Sequence, residues 1–87
     1  MALVWIPAQL RDLTGGRTRV TIRGRTVRQV VENLDAAYPG VGSRLIEDGR
    51  LSPLIAVAID SEVSELGLLQ PVGEDSEVHF IPAVSGG

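Results

Sequence analysis

Residues 26–37 read as the chain's one long helix, and that helix dictates the rest of the fold. Val27, Val30, Val31, Leu34 and Ala37 recur at helical spacing, with Arg28, Glu32 and Asp35 on the opposite side. A single apolar stripe with no second long helix to pack on must be buried against a sheet. Both ends of the helix are marked. Thr26-Val27-Arg28-Gln29 fits a capping box, in which the Thr26 hydroxyl accepts from the Gln29 amide and the Gln29 side chain reaches back to Thr26. Tyr38 precedes Pro39, which disfavours helical angles at Tyr38, and Gly40 follows, so the spacing predicts an end near Ala37.

Candidate strands lie on both sides of the helix. Leu3-Val4-Trp5-Ile6, stopped by Pro7, puts Val4 and Ile6 on one face and Leu3 and Trp5 on the other. Residues 8–16 carry the chain onward, with Leu10 and Leu13 available to the core and Thr14-Gly15-Gly16 as a turn. In residues 17–23, Val20 and Ile22 face inward, while Arg17, Arg19 and Arg23 share the other face. That Arg row is either a solvated outer face or an electrostatic docking strip for an acidic partner. Residues 41–51, with Leu45 and Ile46, read as a short helical turn closing one end of the core. Residues 54–59 form a near-continuous apolar run between Pro53 and Asp60, a strand covered on at least one face and turned by Asp60-Ser61. Residues 62–71 read as irregular, with room for a short strand and with Leu66, Leu68 and Leu69 available to the core. After a turn at Gly73-Glu74-Asp75-Ser76, the last strand covers residues 77–81, Val78 and Phe80 on one face, His79 and Ile81 on the other. The expected fold class is α+β, a mixed sheet of four to five strands with one main helix packed on one face.

Eighty-seven residues make one domain, 1–87, with a single core and no second lobe to form a deep catalytic cleft. This favours a module that works with partners over a self-sufficient enzyme, and no catalytic residue is assigned. The chain has no Cys, so disulfides, thiolate metal sites and cysteine nucleophiles are excluded. One His and scattered carboxylates offer no metal-ligand spacing. Every basic side chain is Arg, so there is no phosphate-binding or Schiff-base lysine, and ATP chemistry would come from a partner. Residues 1–40 carry six Arg against three acids and residues 41–87 two Arg against eight, for a net charge of −3. Such a balance, with one Trp, one Tyr and one Phe, suits nucleic acid poorly, because phosphate neutralisation needs a basic face and single strands need stacking platforms. No apolar run approaches the ~20 residues that span a bilayer. The expectation is a cytoplasmic chain that binds neither nucleic acid nor membrane.

The chemistry-bearing stretch is Pro82-Ala83-Val84-Ser85-Gly86-Gly87, where the last strand gives way to a flexible tail over residues 83–87. Glycines without Cβ pass through a channel too narrow for side chains and leave the terminal carboxylate as the reactive group. Fully extended, the tail reaches ~17 Å, enough to enter another protein's active site.

The chain resembles the ubiquitin-like sulfur-carrier proteins of cysteine, molybdopterin and thiamine biosynthesis. The likeness lies in Leu10-Arg11-Asp12-Leu13-Thr14-Gly15-Gly16, Thr26-Val27 opening the helix, Tyr38-Pro39-Gly40, and Glu77-Val78 leading to Ile81-Pro82-Ala83-Val84-Ser85-Gly86-Gly87. Pro82-Ala83-Val84, with Arg44-Leu45 and Glu47-Asp48-Gly49-Arg50-Leu51, looks most like the cysteine-biosynthesis type. Asp75, where the family usually has Gly, and Asp60-Ser61, where it usually has Asn-Gly, depart from the pattern. The resemblance implies a β-grasp fold with the first and last strands adjacent and parallel at the sheet centre. It further implies that a separate E1-like enzyme uses ATP to adenylate the Gly87 carboxylate, and that sulfur from a sulfide or persulfide source displaces AMP. A synthase then takes sulfur from the thiocarboxylate, with Ala83, Val84, Ser85 and Gly86 as the inserted tail. The recipient pathway is cysteine or a related sulfur metabolite, thiosugars included. The alternatives are the small subunit of molybdopterin synthase and a modifier conjugated to target lysines. A third is a plain interaction module whose glycines do nothing. Trp5, His79 and Ile81 are expected on the sheet face opposite the helix, as a partner-binding surface.

Overall fold

The computed structural model describes residues 1–83. In chain order these form β1 (Ala2–Trp5), β2 (Arg19–Ile22), α1 (Val27–Ala37), α2 (Val41–Leu45), β3 (Ile46–Glu47), β4 (Arg50–Leu51), β5 (Ile55–Ile59), β6 (Glu62–Val63) and β7 (Glu77–Pro82). Single 3-10 turns lie at Ala8–Leu10 and Gly67–Leu69. The main sheet has the order β2-β1-β7-β5-β6, and β3 and β4 make a separate hairpin. β1 and β7 run parallel next to one another with Val4 opposite Val78. Every other pairing is antiparallel. Five strands, a parallel first and last pair, and one long helix across the sheet make the β-grasp arrangement that the resemblance implies.

The alternation in the strands decides which face meets the helix. Val4, Val57, Val78 and Phe80 are buried beneath α1, whose Val27, Val30, Val31 and Leu34 are almost wholly excluded from solvent. Each such side chain contributes roughly 1.5–3 kcal/mol relative to staying exposed. Ala37, expected on the same stripe, is exposed instead. It sits at the end of the stripe, as the last helical residue.

The helix start is tied more widely than a capping box requires. Thr26 Oγ1 accepts from the Gln29 amide at 3.2 Å as expected, but Gln29 Oε1 accepts from the Arg25 amide at 2.8 Å, one residue earlier than Thr26. The neighbouring backbone is already stitched to the segment before β7: the Val27 amide donates to Gln70 O at 3.0 Å and the Val72 amide to Arg25 O at 2.8 Å. At the other end Asp35 Oδ1 accepts from the amides of Gly40 and Gly42 at 3.1 and 2.8 Å, and Gly40 sits at φ +104°, which bends the chain straight into α2.

Two connections differ from the expectation. Residues 41–51 contain the helical turn α2, with Val41 and Leu45 fully buried, but also the β3–β4 hairpin. Of the three leucines expected in the core from residues 62–71, only Leu68 is buried, while Leu66 and Leu69 are 56% and 75% exposed. A 3-10 turn has three residues per turn, so positions three apart point the same way, and Leu66 and Leu69 both point outward.

Candidate functional site

The root of the tail is built by β5, β7 and the turn before β5. The β1–β7 register ends at Trp5 opposite His79, so β7 runs on beyond its parallel neighbour with β5 alone at its side. In the antiparallel β5–β7 ladder, Ile55 faces Pro82, and the bonded pairs are fixed by the Asp60 amide donating to Glu77 O at 3.0 Å. Bonded and non-bonded pairs alternate from there, which leaves Pro82 at a position whose missing N–H would face the absent side of the sheet. The proline therefore costs the ladder nothing. One residue on, the Ala83 amide donates to Leu54 O at 2.9 Å, so the chain is still held in register where the description ends.

Ser52 makes that anchor stiff. It is buried; its amide donates to Leu45 O at 2.8 Å, its carbonyl accepts from Ile55 at 3.0 Å, and its hydroxyl accepts from the Leu54 amide at 3.3 Å. α2 thus holds the turn, the turn holds Leu54, and Leu54 holds the tail root. The Leu54 side chain, 74% exposed, stands next to the root. Sequence reasoning missed Ser52 and Leu54 as parts of this site; Ser52-Pro53 is a turn signal, and nothing in it foretells the contact with Ala83. Val84, Ser85, Gly86 and Gly87 lie outside the described residues.

The sheet face away from α1 continues from the root. Trp5, His79 and Ile81 all lie on it, none of them fully buried. The registers align Arg19, Trp5, His79, Ala58 and Val63 in one row across all five strands. Trp5 and His79 stack with centroids 5.3 Å apart and planes 12° from parallel, and Arg19 Cζ lies 5.6 Å from the Trp5 ring. Trp5 Nε1 donates to Glu77 Oε1 at 3.0 Å, and His79 Nε2 is 3.8 Å from the same oxygen. The indole stands between Arg19 of β2 and His79 of β7, with its Nε1 tied to Glu77. Beyond it, Ala56 opposite Ile81 and Ala58 opposite His79 put small side chains beside large ones. No group on this face forms a nucleophile with an adjacent base; its means are shape, apolar area and one pinned aromatic.

The ThiS family model matches residues 4–87, from within β1 through Gly87. The chain belongs to the ThiS family. Among curated relatives of this ThiS-family chain, sulfur carrier protein CysO of Mycobacterium tuberculosis is 33% identical over 97% of the chain and 96% of its own length. Small archaeal modifier protein 3 of Haloferax volcanii is 38% identical over 71% of the chain and 70% of its own length. Among solved structures, CysO from the Amycolatopsis orientalis BexX/CysO complex superposes with a TM-score of 0.91 at 30% identity, covering all of both chains. Mycobacterium tuberculosis CysO gives 0.89 at 30% identity, covering 97% of this chain and all of its own. These ubiquitin-like relatives are named as carriers and modifiers, and the Amycolatopsis one is seen with a protein partner.

Proposed function

We propose that this ThiS-family chain carries sulfur as a thiocarboxylate on Gly87 and acts as a protein cosubstrate rather than a catalyst. The Gly87 carboxylate attacks the α-phosphorus of ATP in an E1-like activating enzyme, releasing pyrophosphate and giving an acyl adenylate. Sulfide attacks the acyl carbon, AMP leaves, and no net oxidation or reduction occurs. The terminal sulfur is then the nucleophile that a partner synthase directs at its own activated substrate; hydrolysis of the resulting thioester returns the carboxylate. The chain supplies no residue to these steps except the terminus itself. With neither Cys nor Lys in its sequence, activated Gly87 meets no internal thiol or ε-amine.

The single observation that carries the reading is a family match over residues 4–87, which takes in Gly86-Gly87, downstream of a root held in register by Leu54. The sheet face bearing Trp5, His79 and Ile81 is the surface that both partners grip, placed so that a grip there aims residues 83–87 into an active site. The recipient is cysteine or a related sulfur metabolite, and the setting is the cytoplasm; a relative named as a sulfur carrier supports the carrier role. Among the described residues no helix is long and apolar enough to cross a membrane. Incubation with ATP, the host's activating enzyme and sulfide tests the proposal: the expected product has one terminal oxygen replaced by sulfur.

The modifier relative favours a second reading, in which the same activated terminus forms an isopeptide bond with a lysine of another protein. It predicts conjugates of higher mass in cells, carrying a Gly-Gly remnant on target lysines after proteolysis.

A further inference from the structure

We infer that the free edge of β2 is a docking rail for an extended, acidic segment of a partner protein. β2 is an outer strand of the sheet, with β1 on one side only. Which of its backbone groups face outward follows from two hydrogen bonds. The Ile6 amide donates to Thr18 O at 2.8 Å, and the Leu3 amide donates away from β2, to Ser76 O at 2.9 Å. Since bonded and non-bonded pairs alternate, Val20 opposite Val4 and Ile22 opposite Ala2 are bonded to β1. Arg19 and Thr21 are the non-bonded positions, and their N–H and C=O groups point to the open edge.

The rail has defined ends. At one end Thr14 Oγ1, a buried hydroxyl, donates to Arg17 O at 3.1 Å, and the Arg17 amide donates to Thr14 O at 3.3 Å. At the other, Asn33 Nδ2 donates to Arg23 O at 2.7 Å. Between them lie two donors and two acceptors at strand spacing, a match for about five residues of extended chain.

Charge selects the occupant. Arg17, Arg19, Arg23 and Arg25 are all exposed, and residues 17–25 hold no acid, in a chain whose net charge is −3. Acidic side chains on the incoming strand meet the Arg row while its backbone meets Arg19 and Thr21. A second copy of this chain does not fit, because pairing β2 with β2 brings two Arg rows together. A phosphodiester strand does not fit either: its sugar-phosphate backbone brings no row of N–H donors at strand spacing to the two carbonyls. The rail joins a partner through the edge of the sheet and makes no use of Gly87. It stands independently of the thiocarboxylate chemistry.

Amide NMR of the whole isotope-labelled chain, titrated with a short peptide of alternating Glu and Val, tests this without ATP or any activating enzyme. Shifts and slowed hydrogen exchange at the Arg19 and Thr21 amides, with none for a peptide of alternating Lys and Val, are expected. Arg19→Glu combined with Arg23→Glu should weaken binding by roughly tenfold. Thr21→Pro removes one outward donor and no charge, and should abolish the interaction while the rest of the spectrum stays folded. Should that variant fail to fold, exchange at Thr21 in the unaltered chain decides: slowed by the peptide supports the rail, unchanged overturns it. Shifts confined to Trp5, His79 and Ile81, undiminished binding by folded Thr21→Pro, self-association through β2, or tighter binding of oligo-dT with the same shifts would each overturn it.

Discussion

Gly24 shows how closely single residues are fitted here. A Cβ built on it would lie 2.7 Å from Val30 Cγ2 and 2.8 Å from the Val30 backbone nitrogen, in the first turn of α1. Backbone cannot step aside as a side chain can, so Gly24→Ala is expected to cost about 1–3 kcal/mol in urea unfolding, the range for overpacking. Thr26→Ala should cost about 1 kcal/mol, because it removes the acceptor for the Gln29 amide. If Thr26→Ala were neutral, the contacts of residues 25–27 with 70–72 would be holding the helix start unaided. The cap was legible in the sequence and the close approach at Gly24 was not, since a glycine followed by Arg-Thr reads equally well as an ordinary loop. The same limit explains Gln29: local spacing named it a capping residue, but its choice of Arg25 over Thr26 accompanies a backbone pairing with residues more than forty positions away.

At the scale of elements, alternation in β1 divides structure from recognition within two adjacent residues. Val4 is fully buried beneath α1, and Trp5 lies on the open face. Val4→Ala should lower stability by about 2 kcal/mol and leave activation of the folded protein unchanged. Trp5→Ala should do the reverse, with a small fall in melting temperature and roughly a tenfold rise in KM for the carrier with its activating enzyme, as for loss of an aromatic anchor. Equal effects from the two would mean that the open face is not the docking surface. Strands with strict alternation were readable because one face is buried, and the helix because its stripe had only a sheet to meet. The β3–β4 hairpin was readable in principle from Asp48-Gly49, both at positive φ as a two-residue hairpin turn requires. It was passed over because arms of two residues carry no alternation. Leu66 and Leu69 misled because a stretch read as irregular has no periodicity to say which of its leucines faces the core, and the 3-10 turn leaves only Leu68 inside.

The whole molecule separates its tasks by place: one core beneath α1, a rigid root at Leu45, Ser52 and Leu54, an open face with one pinned tryptophan, and a basic edge. The ThiS-family relatives of a molecule divided in this way are named as carriers and modifiers. The central claim is that sulfur travels on Gly87. Intact mass after incubation with ATP, the activating enzyme and sulfide tests it most directly. The account predicts replacement of one oxygen by sulfur, dependent on ATP and lost on deletion of Gly87. An unchanged mass alongside an enzyme shown to activate its other carriers would contradict it and leave lysine conjugation as the reading to pursue.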